Sequence, residues 1–460
     1  MTAAVQRVVI IGNGVAGISA ARAIRKHSDA EITVISAESD HFFSRTALMY
    51  IFMGHMTYED TKPYEDWFWR KNRIKLRRAW VTQVDTAANR VHLHSGEQLA
   101  YDALVLATGS VSNKIGWPGE DADGVQGLYS IQDLELMERN THSINQAVIV
   151  GGGLIGVEMA EMLHSRNIPV TFLVREPWWM AHVFPQAEGD LIASAIRRHG
   201  IDLRLNTELA RILPDQRGRV RAVQTKDGEE LAAQFVGLTI GVKPNVRFLQ
   251  DSGIEIDRGI LVDEMLRTNV PNVYAVGDCA QLRTPAAGRR AIEPIWYTAR
   301  IMGQTVGHTI VGQPTRYDPG IWFNSAKFFD VEYQVYGDIA PHPGATIETL
   351  YWASDCGRKS IRINYRKTDG AVVGFNLLGV RYRHELCNEW IRDGRHIRFV
   401  LENLGAANFD PELTPQHEKS LVQRYNALHP EQPVRLRRKR GLRSLLAARR
   451  AAAATQGSLQ

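Results

Sequence analysis

The chain has 460 residues, 44% hydrophobic and 23% charged with 38 glycines, so it is long enough for about three domains with buried cores and too ordinary in composition for a disordered or fibrous protein. Its formal charge of +5 is uneven: eight bases (Arg435, Arg437, Arg438, Lys439, Arg440, Arg443, Arg449, Arg450) lie beyond Pro433 with no acid among them, leaving 47 bases against 50 acids, a net −3, in residues 1–433. A slightly acidic body with a basic tail argues against specific nucleic-acid binding. Cys279, Cys356 and Cys387 are too far apart for a disulfide framework, a zinc ribbon or an iron–sulfur cluster within the chain. MTAAVQRVVIIGNG reads as a strand rather than a signal peptide, and no apolar run approaches transmembrane length, so a soluble, cytoplasmic protein is expected.

In chain order, residues 7–35 predict a β-branched strand (RVVIIG), a glycine turn (GNGVAG), a helix (ISAARAIRKH) and a second strand (EITVIS). YEDWFWRK (64–71) predicts a helix packed under this first domain. His92 and His94 alternate in VHLHSG on one face of a strand with no third ligand nearby, so no metal site is expected. YDALVLATGS (101–110) is another buried strand, and the Pro/Gly-rich GWPGEDADGVQG after it places a boundary near 115. Residues 146–174 then repeat the opening grammar as QAVIVG, GGGLIG, VEMAEMLHSR and PVTFLV, with Gly151 lying 139 residues after Gly12. In each unit the first glycine (Gly12, Gly151) permits the tight turn. The second (Gly14, Gly153) lets backbone approach a pyrophosphate, and the third (Gly17, Gly156) packs helix on sheet. Strands recur over 219–240, VPNVYAVGDCA (270–280) ends another, and IWYTARIMGQTVGHTI forms a helix. From about 316 alternating, aromatic-rich strands followed by helices indicate a separate α+β domain, and residues 434–460 are low-complexity, with Leu442, Leu445 and Leu446 at helical spacing among bases.

GNGVAG, LATGS, GGGLIGVEMAE, TIGVKPN and NVPNVYAVGDCAQ, in this order, resemble the pyridine nucleotide–disulfide oxidoreductase superfamily over about residues 5–420. The resemblance is greatest to its branch without a redox disulfide: rubredoxin and ferredoxin reductases, the flavin module of nitrite reductase and apoptosis-inducing-factor-like proteins. Arg45 and Leu48 of FFSRTALMY match that branch. The resemblance implies an α/β fold with two Rossmann-like dinucleotide-binding domains, the FAD domain discontinuous (1–115 and 237–315), an NAD(P) domain (116–236), a C-terminal α+β domain (316–430) and a basic tail (431–460). It implies FAD at Gly12, Gly14 and Gly17 with Arg45, Thr108, Gly109 and Gly277, Asp278 on the ribityl chain, residues from Glu293 to Trp296 near the isoalloxazine, and NAD(P)H at Gly151, Gly153 and Gly156.

The departures sharpen the reading. Arg45 stands where peroxide- or CoA-linked relatives carry a single cysteine, so no positioned thiolate is available for dithiol exchange. Tyr50 replaces a lysine that pairs with the acid aligned to Glu158, so Glu158 must take up a proton or a hydrogen bond from Tyr50 or water; these two are the catalytic candidates. In the first unit the ribose acid is displaced to Glu38. In the second, Val174 removes it, Arg175 favours a ribose phosphate and Glu176 opposes that, leaving NADH against NADPH open. His417-Glu418 has no dithiol to serve and receives no role. The chain is expected to take hydride from NAD(P)H onto FAD and pass electrons to an external acceptor, a rubredoxin or ferredoxin. The alternatives are an NAD(P)H oxidase, a quinone reductase or a slowly turning-over redox sensor. The tail suits an acidic protein or an anionic membrane surface, and a homodimer stays open.

Overall fold

The computed structural model of the chain describes residues 6–437, residue 414 excepted. The expected amphipathic helix around Leu442 and Leu446 lies outside them.

The strand Arg7–Ile11 forms from β-branched residues that are buried on both faces, which suits a parallel sheet covered by helices. It occupies the middle of a five-stranded parallel sheet in the order Val273–Ala275, Ala103–Leu106, Arg7–Ile11, Glu31–Ser36, Ile74–Arg78. Chain order reverses at the central strand, so a crevice opens at its carboxyl end, where the first glycine turn lies. The repeat builds a second parallel sheet, ordered Asp202–Arg204, Val170–Leu173, Ala147–Val150, Phe235–Leu238, Val125–Gln126. Two crossing segments, Ser110–Ser112 and Val242–Pro244, pair antiparallel where the chain leaves the first sheet and returns to it. The sequence Asp66–Lys71 is helical as expected, with Trp69 buried but Trp67 56% exposed, so one tryptophan packs and the other faces solvent.

The first glycine helix, Val15–His27, buries a face of small residues, Ala16, Gly17, Ser19, Ala20 and Ala21, and ends in Arg25, Lys26 and His27, which suit the negative end of its dipole. Its small face admits close approach by the helix Trp296–Ile310. A Cβ on Gly303 would meet the Ala16 carbonyl at 2.2 Å, so only glycine allows that spacing.

Among the described residues, those up to 181 together with 192–320 form one compact unit by contacts, and 182–191 together with those from 321 onward form the other. The second unit holds a five-stranded antiparallel sheet, ordered Phe323–Phe328, Val331–Gly337, Val372–Leu378, Ser360–Arg366, Ile347–Ala353. Ile361, Ile363 and Tyr365 turn to a core shared with Trp390, Val400 and Leu421 of three helices. The alternate residue Arg362 makes a bidentate, buried ion pair with Glu188. His417 stacks on Trp352, and Glu418 is buried against Asn408, so both have structural surroundings.

Removing one partner of a buried pair leaves an uncompensated charge that costs about 3–5 kcal/mol. Glu188→Ala or Arg362→Ala should therefore lower the melting temperature sharply, and Glu188→Leu with Arg362→Met should recover much of the loss in the same thermal-melting assay.

Candidate active site

The two glycine turns have the same geometry. Gly12 has φ +114°, and a Cβ there would meet the Ala107 carbonyl at 2.1 Å; one on Gly17 would meet the Gly12 carbonyl at 2.0 Å. In the repeat, Gly151 has φ +113°, with the Thr239 carbonyl 2.5 Å from its would-be Cβ and the Gly151 carbonyl 2.3 Å from that of Gly156. Both helices are thus drawn tightly onto their strands. Gly14 and Gly153, by contrast, have nothing within 4 Å of a would-be Cβ. Each is the N-cap of its helix, neither helix has a side-chain cap, and neither has an acid in its first turn. The unpaired N–H groups at both helix starts therefore face open space with a favourable dipole, the arrangement that accepts a dinucleotide pyrophosphate. The residues present fit one such group in each turn.

Around the first turn the structure brings together residues far apart in sequence. Glu38, just past the strand Glu31–Ser36, makes a bidentate ion pair with Arg45 at 2.7 and 2.6 Å and accepts the Ile131 N–H at 3.0 Å. Arg45 also donates to the Tyr129 carbonyl at 2.5 Å and lies 4.4 Å over the Tyr129 ring. The Tyr129 hydroxyl donates to Asp278 Oδ2 at 3.1 Å, and Ser110 Oγ donates to the same oxygen at 3.2 Å. Burial raises the Asp278 carboxyl, while Tyr129, Ser110 and Arg45 hold it down. Thr108 is tied to the Asn245 carbonyl at 2.8 Å, and Gly277 (φ +77°) passes close to Ala16. Cys279 is buried, its thiol pushed up by burial and bonded to backbone carbonyls, so it is an inert packing residue. Sequence reasoning missed Tyr129 and Ser110. Ser110 lay in a motif already noted, whereas nothing local marks Tyr129.

Trp296 starts the helix Trp296–Ile310 with 36% of its surface exposed and Arg300 over its ring at 5.8 Å. Glu293 is held by Arg289 through both oxygens at 2.6 and 2.5 Å. At the second turn, Glu158 and Glu161 lie one helical turn apart, and the short helix Leu48–Phe52 brings Tyr50 close to them. Burial pushes the Glu158 carboxyl up to about 7, with Glu161 adding to it. Burial, Glu161 and Glu158 also raise the Tyr50 phenol. No hydrogen bond joins Tyr50 to Glu158 among the described residues. Arg175 is exposed and pairs with Glu176 at 2.9 Å. The described residues contain no group of three or more His, Cys, Asp or Glu arranged to hold a metal, and no helix long and apolar enough to cross a membrane.

Residues 6–303 match the pyridine nucleotide-disulphide oxidoreductase family. The chain is 29% identical to nitrite reductase [NAD(P)H] of Bacillus subtilis over 372 residues, covering 80% of this chain but 45% of that protein. It is 28% identical to rubredoxin-NAD(+) reductase of Pseudomonas putida over 320 residues, covering 68% of this chain and 83% of the other. Its fold is similar to the solved NAD-dependent persulfide reductase from A. fulgidus, with a TM-score of 0.80 and 25% identity, covering 93% of this chain and 83% of that one.

The folded chain holds the Glu158 proton above the pH at which the unfolded chain, at the ordinary value of 4.5, releases it. The contribution of Glu158 to stability should therefore fall as pH rises from 4.5 to about 7. Thermal melting against pH is expected to show Glu158→Gln gaining stability relative to the wild type as pH rises through that window; identical profiles for the two proteins would exclude a raised carboxyl.

Proposed function

The chain belongs to the pyridine nucleotide-disulphide oxidoreductase family, and from that membership we propose that it is an NAD(P)H-dependent FAD reductase of a small redox protein. The observation that carries this reading is the pair of open glycine cradles, each aimed at a diphosphate, in a chain whose three cysteines cannot form a dithiol relay. The first cradle, with Glu38 and Asp278 beside it, is the FAD site; the second, with Arg175, is the NAD(P)H site. Bound FAD supplies a hydride acceptor able to release its electrons singly.

The protein's own residues hold, orient and shield. The helix start at Gly14 would hold the FAD diphosphate, and the Asp278 carboxylate would accept from a hydroxyl of the ribityl chain. Trp296 contributes an aromatic wall where the helix Trp296–Ile310 begins. The start at Gly153 fixes the nicotinamide nucleotide, bringing two reactants into one arrangement. Near neutral pH Glu158 carries its proton for much of the time, so this position lacks the full charge that an ion pair with lysine would preserve. Cys279 is packed against the Leu106 carbonyl and Cys356 sits exposed on a hairpin of the second unit. With no thiol placed to take them on, the electrons of a bound flavin would go to an acceptor arriving from outside the chain. A rubredoxin is the acceptor named for one Pseudomonas putida relative, and a ferredoxin is named for another, the ferredoxin–NAD(+) reductase subunit of a benzene 1,2-dioxygenase system. The basic segment beyond Pro433 adds attraction for an acidic carrier in this reading. Its use on an anionic membrane, or in a homodimer, would appear as lost association on truncation at residue 434 with carrier turnover unchanged.

Anaerobic addition of NADH or NADPH should bleach the bound flavin, and reoxidation by a rubredoxin or ferredoxin should be much faster than by oxygen. Oxygen consumption as fast as any carrier reaction would instead make the protein an oxidase. Because Glu176 tempers Arg175, Glu176→Gln is expected to raise the NADPH to NADH ratio of kcat/KM severalfold. An unchanged ratio would remove Arg175 from the ribose-phosphate site.

A further inference from the structure

Resting on the FAD reading above, we propose that Tyr129 is a positioning residue for the flavin, acting by holding the carboxylate of Asp278. Its place in the structure is specific. Gly109 has φ +65°, and a Cβ there would lie 2.7 Å from the Tyr129 hydroxyl, so the glycine leaves room for that oxygen. The hydroxyl accepts the Ser110 N–H at 3.0 Å and donates to Asp278 Oδ2 at 3.1 Å. Ser110 Oγ donates to the same oxygen at 3.2 Å, so both side-chain donors converge on Oδ2 and Oδ1 takes neither. The tyrosine is also clamped at its other end, where Arg45 bonds its carbonyl, covers its ring and pairs with Glu38. One side chain thereby couples the two acids assigned to opposite ends of the flavin nucleotide, Glu38 and Asp278. The segment that carries it leads straight into the helix Ile131–Thr141, whose first N–H is bonded to Glu38.

The consequence for ligand binding follows from charge. Asp278 is surrounded by Tyr129, Ser110, Arg45 and the buried Cys279, and burial disfavours its ionised form. A sugar hydroxyl is best accepted by the ionised carboxylate, and the Tyr129 hydrogen bond favours that state. Without it the carboxyl takes up a proton at higher pH and its grip on the flavin weakens.

The test uses the full chain purified with its flavin. Release of FAD on dilution is followed by flavin fluorescence from roughly pH 5 to 8, spanning the carboxylate range and neutrality. Loss of one charge-assisted hydrogen bond corresponds to roughly a tenfold or greater effect. Tyr129→Phe, which keeps the ring under Arg45, should release FAD faster by that factor near neutral pH, with the acid-side increase starting at higher pH. Ser110→Ala, which leaves Tyr129 in place, should shift the acid limb in the same direction. In an Asp278→Asn background Tyr129→Phe should add little. Wild-type release kinetics in Tyr129→Phe at every pH, or an undiminished effect of that substitution in the Asp278→Asn background, would overturn the positioning role while leaving the FAD reading intact. A wild-type chain that carries no flavin would overturn both.

Discussion

The structure depends on the close approach of backbone at two glycine turns. A methyl group on Gly12 or Gly17 would sit 2.1 or 2.0 Å from a carbonyl oxygen, and the same holds within a few tenths of an ångström at Gly151 and Gly156. Only because those contacts are made by hydrogen can each helix start directly at the end of its strand, with unpaired N–H groups facing open space rather than a capping side chain. The parallel sheets, with their central strands Arg7–Ile11 and Ala147–Val150, hold the two turns at the carboxyl edges where ligands bind to such folds.

Charge then distinguishes the two cradles. Around the first, acids are satisfied: Glu38 by Arg45 and a helix N–H, Asp278 by two hydroxyls. Around the second, Glu158 has a like-charged neighbour in Glu161 and no lysine, and it meets burial by taking up a proton. The first cradle is thereby well ordered by its own ion pair and hydrogen bonds, whereas the second lies beside a carboxyl pushed up to about 7 by burial. An exposed Arg175 and its neighbour Glu176 add a polar edge to that side.

Much of this was legible in the sequence because it is local. A β-branched run, three glycines at fixed spacing and a helix state a βαβ unit in thirty residues, and the second copy removes the ambiguity of one. The GDC turn and its following helix were legible for the same reason. What could not be read is pairing across the chain. Tyr129 lies 149 residues from Asp278 and 84 from the arginine that clamps it. Glu188 finds Arg362 across 174 residues and belongs by contacts with the C-terminal sheet, although its sequence position falls inside the span 116–236 expected for the second nucleotide domain. Tyr50 and Glu158 illustrate the converse: the sequence leaves open a proton, a bond from the tyrosine or one from water, and the ring lies near the carboxyl without a direct hydrogen bond between the two among the described residues.

The central claim is that the second cradle holds the nicotinamide nucleotide that reduces the flavin held in the first. Gly153 lies in open space with an ordinary φ of −91°, so Gly153→Asp fits the backbone yet places a carboxylate where a diphosphate would sit. The decisive measurement is the anaerobic rate of flavin bleaching in that variant at low nicotinamide concentration. The account predicts wild-type flavin content with reduction slowed by roughly a hundredfold, the scale expected when like charges meet at a phosphate site. Full flavin content with a wild-type bleaching rate would contradict it.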